Sequence, residues 1–100
     1  KLPEEPEVHI GIWGQRHRRY LKSHRRALYT SLLTSGKLNS YLADINRQAE
    51  ELFSRLVKQI AESENINEEL KATDTTAWIG KMNNVRNRAA EVVSEEIIYK

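Results

Sequence analysis

"LNSYLADINRQAEELFSRLVKQIAE", residues 38–62, carries the longest unbroken apolar repeat of the chain. Leu38, Leu42, Ile45, Ala49, Leu52, Leu56 and Ile60 recur at steps of three and four almost without interruption. That is the period at which side chains return to one face of an α-helix. At ~1.5 Å per residue such a helix is roughly 37 Å long. Tyr41, Phe53 and Val57 widen the apolar stripe, so the helix is expected to touch more than one neighbour and to serve as the spine of the domain.

Upstream, residues 15–34 follow the same period. Leu21, Leu28 and Leu32 fall within a narrow arc, with His17 and His24 beside it and Tyr20 and Ala27 further round. Arg18, Lys22, Arg25 and Arg26 occupy the opposite arc, with Arg19 at its edge. Gly36, after "LLTS", supplies the left-handed residue that commonly ends a helix. Before this helix, "KLPEEPEVHIGIW" carries both prolines and an alternation at Val8, Ile10 and Ile12. It reads as an extended arm over 1–14, ended by Gly14, with the helical body spanning 15–100.

Downstream, "ESENINEELKATDTT" interrupts the pattern with polar and capping residues. Asn67 before Glu68 and Glu69 predicts the cap of a short helical turn, and Asp74 or Thr75 predicts the cap of the next helix. That last helix, over about 76–98, carries Trp78, Met82, Val85, Ala89 and Val92 on one face, with Glu96 or Ile97 continuing it. Gly80 costs it on the order of 1 kcal/mol relative to Ala, and so predicts close approach of a partner helix. Three long helices with short links form an antiparallel all-α bundle carrying an extended N-terminal arm.

Composition sets the limits on function. One hundred residues make one domain, able to bury roughly two thirds of its unfolded surface. No stretch approaches the ~18 consecutive apolar residues of a membrane span, and the opening lacks the regions of a signal peptide. The absence of cysteine excludes disulfides, thiolate chemistry and cysteine-ligated zinc. A cytoplasmic location is expected. Because the chain opens on Lys1, a native segment ahead of it is expected to be missing from this sequence.

"IGIWGQRHRRYLKSHRRALYTSLLTSGKLNSYLADIN" and "WIGKMNNVRNRAAEVV" resemble the transposon-encoded TnpV family, carried by mobile elements of Gram-positive bacteria. The resemblance runs from Ile10 to Tyr99, with 63–75 as a variable linker and the family's N-terminal segment lacking. It implies the company of site-specific recombinases and a DNA-binding or accessory role, and it brings no residue-level site.

Charge patterning points to a candidate surface. Residues 14–36 hold six cations, Arg16, Arg18, Arg19, Lys22, Arg25 and Arg26, with no Asp or Glu among them. Residues 44–69 hold seven acids (Asp44, Glu50, Glu51, Glu62, Glu64, Glu68, Glu69) against three bases. A stripe of guanidinium groups suits phosphates. The plain alternative is a solvated helix face whose Arg18 and Arg25 pair with glutamates of the second helix. If all six cations meet phosphates, log affinity falls about five units per log unit of salt. A helix-turn-helix across "ALYTSLLTSGKLNSYLADI" is a weak fit, since the helix after Gly36 is long and has few bases near its start beyond Lys37.

Asn83, Asn84, Arg86, Asn87 and Arg88 form a possible secondary surface, being side chains suited to base edges. A structural role, bonding backbone or capping a neighbouring helix, is the favoured alternative. Trp13 and Trp78 are expected in the core, with an exposed partner-binding patch as the other reading. Catalysis finds little support. His17 and His24 stand two turns apart, too far to share a metal, and Ser23 beside His24 points away from it on a helix. Glu50 with Glu51, and Glu95 with Glu96, are adjacent surface pairs. The glycines are scattered, so no phosphate loop exists. No enzyme, metal or cofactor is expected. The expected partner is DNA, for regulation or for assistance of excision and integration; the alternative is an interaction module that forms a homodimer or docks on a recombinase. Neither membrane nor small-molecule substrate is expected.

Overall fold

The structure, a computed structural model, describes residues 10–99. It is all-α, with no strand among the described residues. Five helices, α1 (Ile12–His24), α2 (Arg26–Thr34), α3 (Leu38–Ser63), α4 (Glu68–Thr73) and α5 (Thr75–Val93), are followed by a π-helical turn, Ser94–Ile98. The expected count of three long helices is therefore revised. Of the expected arm, residues 1–9 lie outside the described residues, and α1 already begins at Ile12, taking in Trp13 and Gly14.

The spine is α3, and the other helices assemble along it. Trp13 packs with Ala49 of α3, while Leu21 packs with Leu38 and Leu42, so α1 runs antiparallel to α3. This geometry explains the break in the first helix. Continued straight from Leu21 to Thr34, the chain would end about 20 Å beyond the site where α3 must begin beside Leu21. Arg25, at φ −134° and ψ 54°, interrupts the helix instead. Its N–H donates to the Leu21 carbonyl at 2.9 Å and its own carbonyl accepts from the Tyr29 N–H at 3.0 Å, so both flanking turns stay bonded. α2 then lays Leu28, Tyr29 and Leu32 against the Leu21, Leu38 and Leu42 cluster.

Gly36 performs its expected role at φ 72°. The Lys37 N–H reaches the Leu32 carbonyl and the Gly36 N–H reaches the Leu33 carbonyl, the paired bonds of a Schellman ending. α3 ends the same way with Asn65 at φ 58°, bonded to Glu62, and Ile66 bonded to Ala61. This ending folds Ile66 back into the core at 6% exposure. Asn67 and Asp74 cap α4 and α5 through side-chain oxygens that accept from the Leu70 and Ala77 N–H groups.

α5 buries Val85, Ala89 and Val93 at steps of four, and the next buried residue, Ile98, comes five later. The step of five is the π turn, closed by Tyr99 N–H to the Ser94 carbonyl at 2.9 Å. The core face thus passes through Val93, and the expected Val92 is exposed. Gly80 is also corrected: a methyl group there would meet nothing within 4 Å, so no helix approaches it. The close approach lies at Gly14, where an added Cβ would stand 3.0 Å from the Leu42 carbonyl.

Candidate nucleic-acid interface

At 100° per residue the core side of α1 is set by Trp13, His17 and Leu21, all buried. The six cations distribute over the remaining surface, and they do not form one stripe. On α1, Arg18 and Lys22 lie toward one flank, Arg19 along the crest and Arg16 toward the opposite flank, while Arg25 stands at the break and Arg26 opens α2. All but Arg16 are exposed. Arg16 lays its guanidinium over the Trp13 ring, 5.0 Å from the centroid. Lys22 leans on the Tyr29 ring at 5.8 Å and so spans the break between α1 and α2. Arg25 sits close enough to Tyr41 for its charge to act on the phenol.

Elsewhere in the molecule, cations beside acids do find them. Arg47 bonds Asp44 at 2.5 Å and Glu51 at 3.2 Å, and with Gln48 it holds the Asp44 carboxyl below its ordinary range. Arg88 pairs with Glu64. Among the described residues no ion pair involves any of the six cations of α1 and α2. The pairing of Arg18 and Arg25 with glutamates of α3 does not form.

Beneath this surface two buried polar side chains fix α1. Asn46, 2% exposed, accepts from the Gly14 N–H at 3.1 Å. His17, 3% exposed, makes two bonds. Its Nδ1–H donates to the Ile98 carbonyl at 2.7 Å, which in the neutral ring leaves Nε2 to accept from the Tyr41 hydroxyl at 3.0 Å. No buried polar side-chain atom of the described residues lacks a partner. Burial pushes the Tyr41 phenol above its ordinary value, against the smaller opposing pull of Arg25.

The family model described as transposon-encoded protein TnpV matches residues 1–98. The chain belongs to the TnpV family. The match covers nearly the whole chain, including the residues ahead of Ile10. No curated protein and no solved structure gives a significant match. No helix among the described residues of this TnpV chain is long and apolar enough to cross a membrane. Nor do those residues contain a group of three or more His, Asp or Glu placed to hold a metal ion; His9 lies outside them.

The secondary cluster on α5 is exposed throughout. The side chains of Asn83, Asn84 and Asn87 make no hydrogen bond or cap among the described residues, so the structural role favoured for them is not observed; the capping is done by Asn67 and Asp74. Arg88 is occupied by Glu64, and Arg86 is unpaired among the described residues. Trp13 is buried as expected and meets Phe53 at 5.7 Å. Trp78 is not a core plug. It is half-buried, carries Lys71 over its ring at 4.9 Å, and lines an open groove of about 690 Å³ with Phe53, Val57, Ile66 and Met82.

One arrangement was invisible in the sequence. Arg16, Arg19, Tyr20, Ser23 and His24 form one side of α1, and Tyr99 closes a cleft of about 500 Å³ against them. The helical spacing of the first five is legible afterwards. Tyr99 carries no sequence signal, because its position depends on the π turn.

Proposed function

We propose that this chain is a non-enzymatic accessory protein of a transposon, acting in the cytoplasm, that binds the DNA backbone through α1 and the start of α2. The observation that carries the reading is the charge left uncompensated among the described residues: five exposed cations and Arg16 within eleven residues, none in an ion pair there, in a molecule where Arg47 and Arg88 both pair. Such a surface attracts phosphates and releases counterions on binding. A duplex laid along this surface meets Arg18 and Lys22 on the flank of α1, Arg19 on its crest, and Arg25 and Arg26 where the chain breaks and α2 begins. With four to five phosphates met, log affinity falls about four units per log unit of salt.

The test is binding of a labelled duplex at several salt concentrations, by the wild type and by a variant carrying Arg18→Gln, Lys22→Gln and Arg25→Gln. The expected result is steeply salt-dependent binding that the triple variant loses while its helical content stays unchanged. Equal affinity in the variant refutes the reading. A second reading, an interaction module that dimerises or docks on a recombinase, is favoured by the open apolar groove beside Trp78. It predicts association nearly indifferent to salt and sensitive to Trp78→Ala.

A further inference from the structure

The cleft between α1 and the C-terminal turn differs in chemistry from two other depressions of the surface. The Trp78 groove includes Glu62 and Glu68, and a smaller hollow beside His17 includes Glu96. Among the described residues the Tyr99 cleft has no carboxylate; two guanidinium groups, a hydroxyl, an imidazole and two phenol rings line it. Donors without an opposing acid suit a phosphate, and aromatic rings beside them suit a base.

The aromatic part of the cleft is held in place. Tyr20 stacks on His24 at 5.1 Å, with 17° between the planes, and on His17 at 6.1 Å and 24°. Tyr99 meets the Tyr20 ring near-perpendicular, at 5.6 Å and 68°, and remains 53% exposed. The peptide unit that leads into its Cα is fastened at both of its polar atoms, since the Ile98 carbonyl accepts from buried His17 and the Tyr99 N–H donates to the Ser94 carbonyl. A ring set against Tyr20 from an anchored peptide unit needs less ordering when a ligand arrives than a free side chain does. Arg16 has a partner of its own, since its guanidinium lies over the Trp13 ring at 5.0 Å from the centroid.

We propose that this cleft takes one nucleotide unit of single-stranded DNA, its phosphate on Arg16 and Arg19 with Ser23, and its base stacked on Tyr99. Single-stranded DNA is the source because stacking needs a free base face, and in a duplex the neighbouring bases cover both faces. The inference rests on the DNA-binding reading for its ligand and shares the crest residue Arg19 with it, but its aromatic platform lies on the flank of α1 opposite to Arg18 and Lys22. An accessory protein with both flanks occupied engages a junction of duplex and single strand.

The experiment measures fluorescence anisotropy of the whole chain with a labelled single-stranded oligonucleotide and a labelled duplex, and competition by thymidine monophosphate and by inorganic phosphate. Tyr99→Ala is expected to weaken the single strand by about 5-fold or more and to leave the duplex unchanged. Tyr99→Phe keeps the ring and is expected to bind both as the wild type does. The triple variant at Arg18, Lys22 and Arg25 is expected to do the reverse of Tyr99→Ala. Unchanged single-strand affinity in Tyr99→Ala overturns the cleft while leaving duplex binding intact. Absence of binding to either DNA at low salt overturns both readings. Thymidine monophosphate binding as tightly as the oligonucleotide shows a free-nucleotide site and overturns DNA as the source.

Discussion

Gly14 and Gly80 separate two reasons for a glycine inside a helix. At Gly14 the backbone of α1 lies against α3, with an added methyl group 2.5 Å from Ile10 Cγ2, 3.0 Å from the Leu42 carbonyl and 3.3 Å from Asn46 Cβ. Ile10 can shift, but the Leu42 carbonyl belongs to the spine, and the Asn46 amide is already engaged by the Gly14 N–H. At Gly80 there is open space. The same substitution therefore has opposite signs. Gly80→Ala is expected to stabilise the domain by about 1 kcal/mol through helix propensity alone. In Gly14→Ala that gain is outweighed by overpacking of about 1–3 kcal/mol, and a net loss is expected. Urea unfolding of the two variants checks both signs, and stabilisation by Gly14→Ala would contradict the close contact of α1 with α3. The sequence pattern could not make this distinction, because a glycine's use depends on what faces it. Asn46 was hidden for a related reason. It stands four after Leu42 and three before Ala49, on the core face, yet its polar side chain gave no sign of a partner 32 residues away.

Between elements, the strongest cross-link is the chain of bonds from Tyr41 on α3 through His17 on α1 to the Ile98 carbonyl in the π turn. Tyr41 reports on its integrity because burial raises its phenol above the ordinary 10.0. Above that value the unfolded chain releases this proton while the folded chain retains it. Stability from Tyr41 is therefore fully present below about pH 10 and is lost as pH rises through the folded value. Tyr41→Phe is expected to be about 1 kcal/mol less stable at neutral pH and to show a flatter decline in alkali than the wild type. Urea midpoints measured from roughly pH 9 to 11 test this; parallel curves would remove Tyr41 as the responsible group. The elements themselves were mostly legible. The stripe from Leu38 to Ile60 yields α3, Gly36 its preceding turn, and Asn67 and Asp74 the caps of α4 and α5. The break at Arg25 was not legible, since arginine is a good helix former and the interruption comes from where α3 must start. The π turn was equally silent: "VV" at 92 and 93 fits either face, and only packing selects Val93.

At the scale of the molecule, a radius of gyration of 17.3 Å exceeds the ~13 Å of a compact chain of this length. The extents of 59 × 25 × 18 Å describe a rod. Segregation of basic α1 from the acid-rich α3 and α4 could be read from the sequence; the rod could not, because it depends on how far α5 runs past α1 along the spine. Burial is concentrated near the middle. Leu42, Ala49, Val85, Ala89, Val93 and Ile98 are fully covered, whereas α4 buries no residue and α5 none before Val85. Ile66 is the buried apolar anchor of that end. Opening α4 with the first turns of α5 exposes little apolar surface, so it should cost less than opening the centre. Native-state amide exchange is therefore expected to show two levels. Amides of 70–73 and 79–82 exchange through a partial opening, and those of 46–53 and 89–93 exchange only on global unfolding. Ile66→Ala, which removes the anchor, is expected to accelerate the first group more than the second. Equal protection throughout the rod would mean that α4 is held by contacts stronger than its burial indicates.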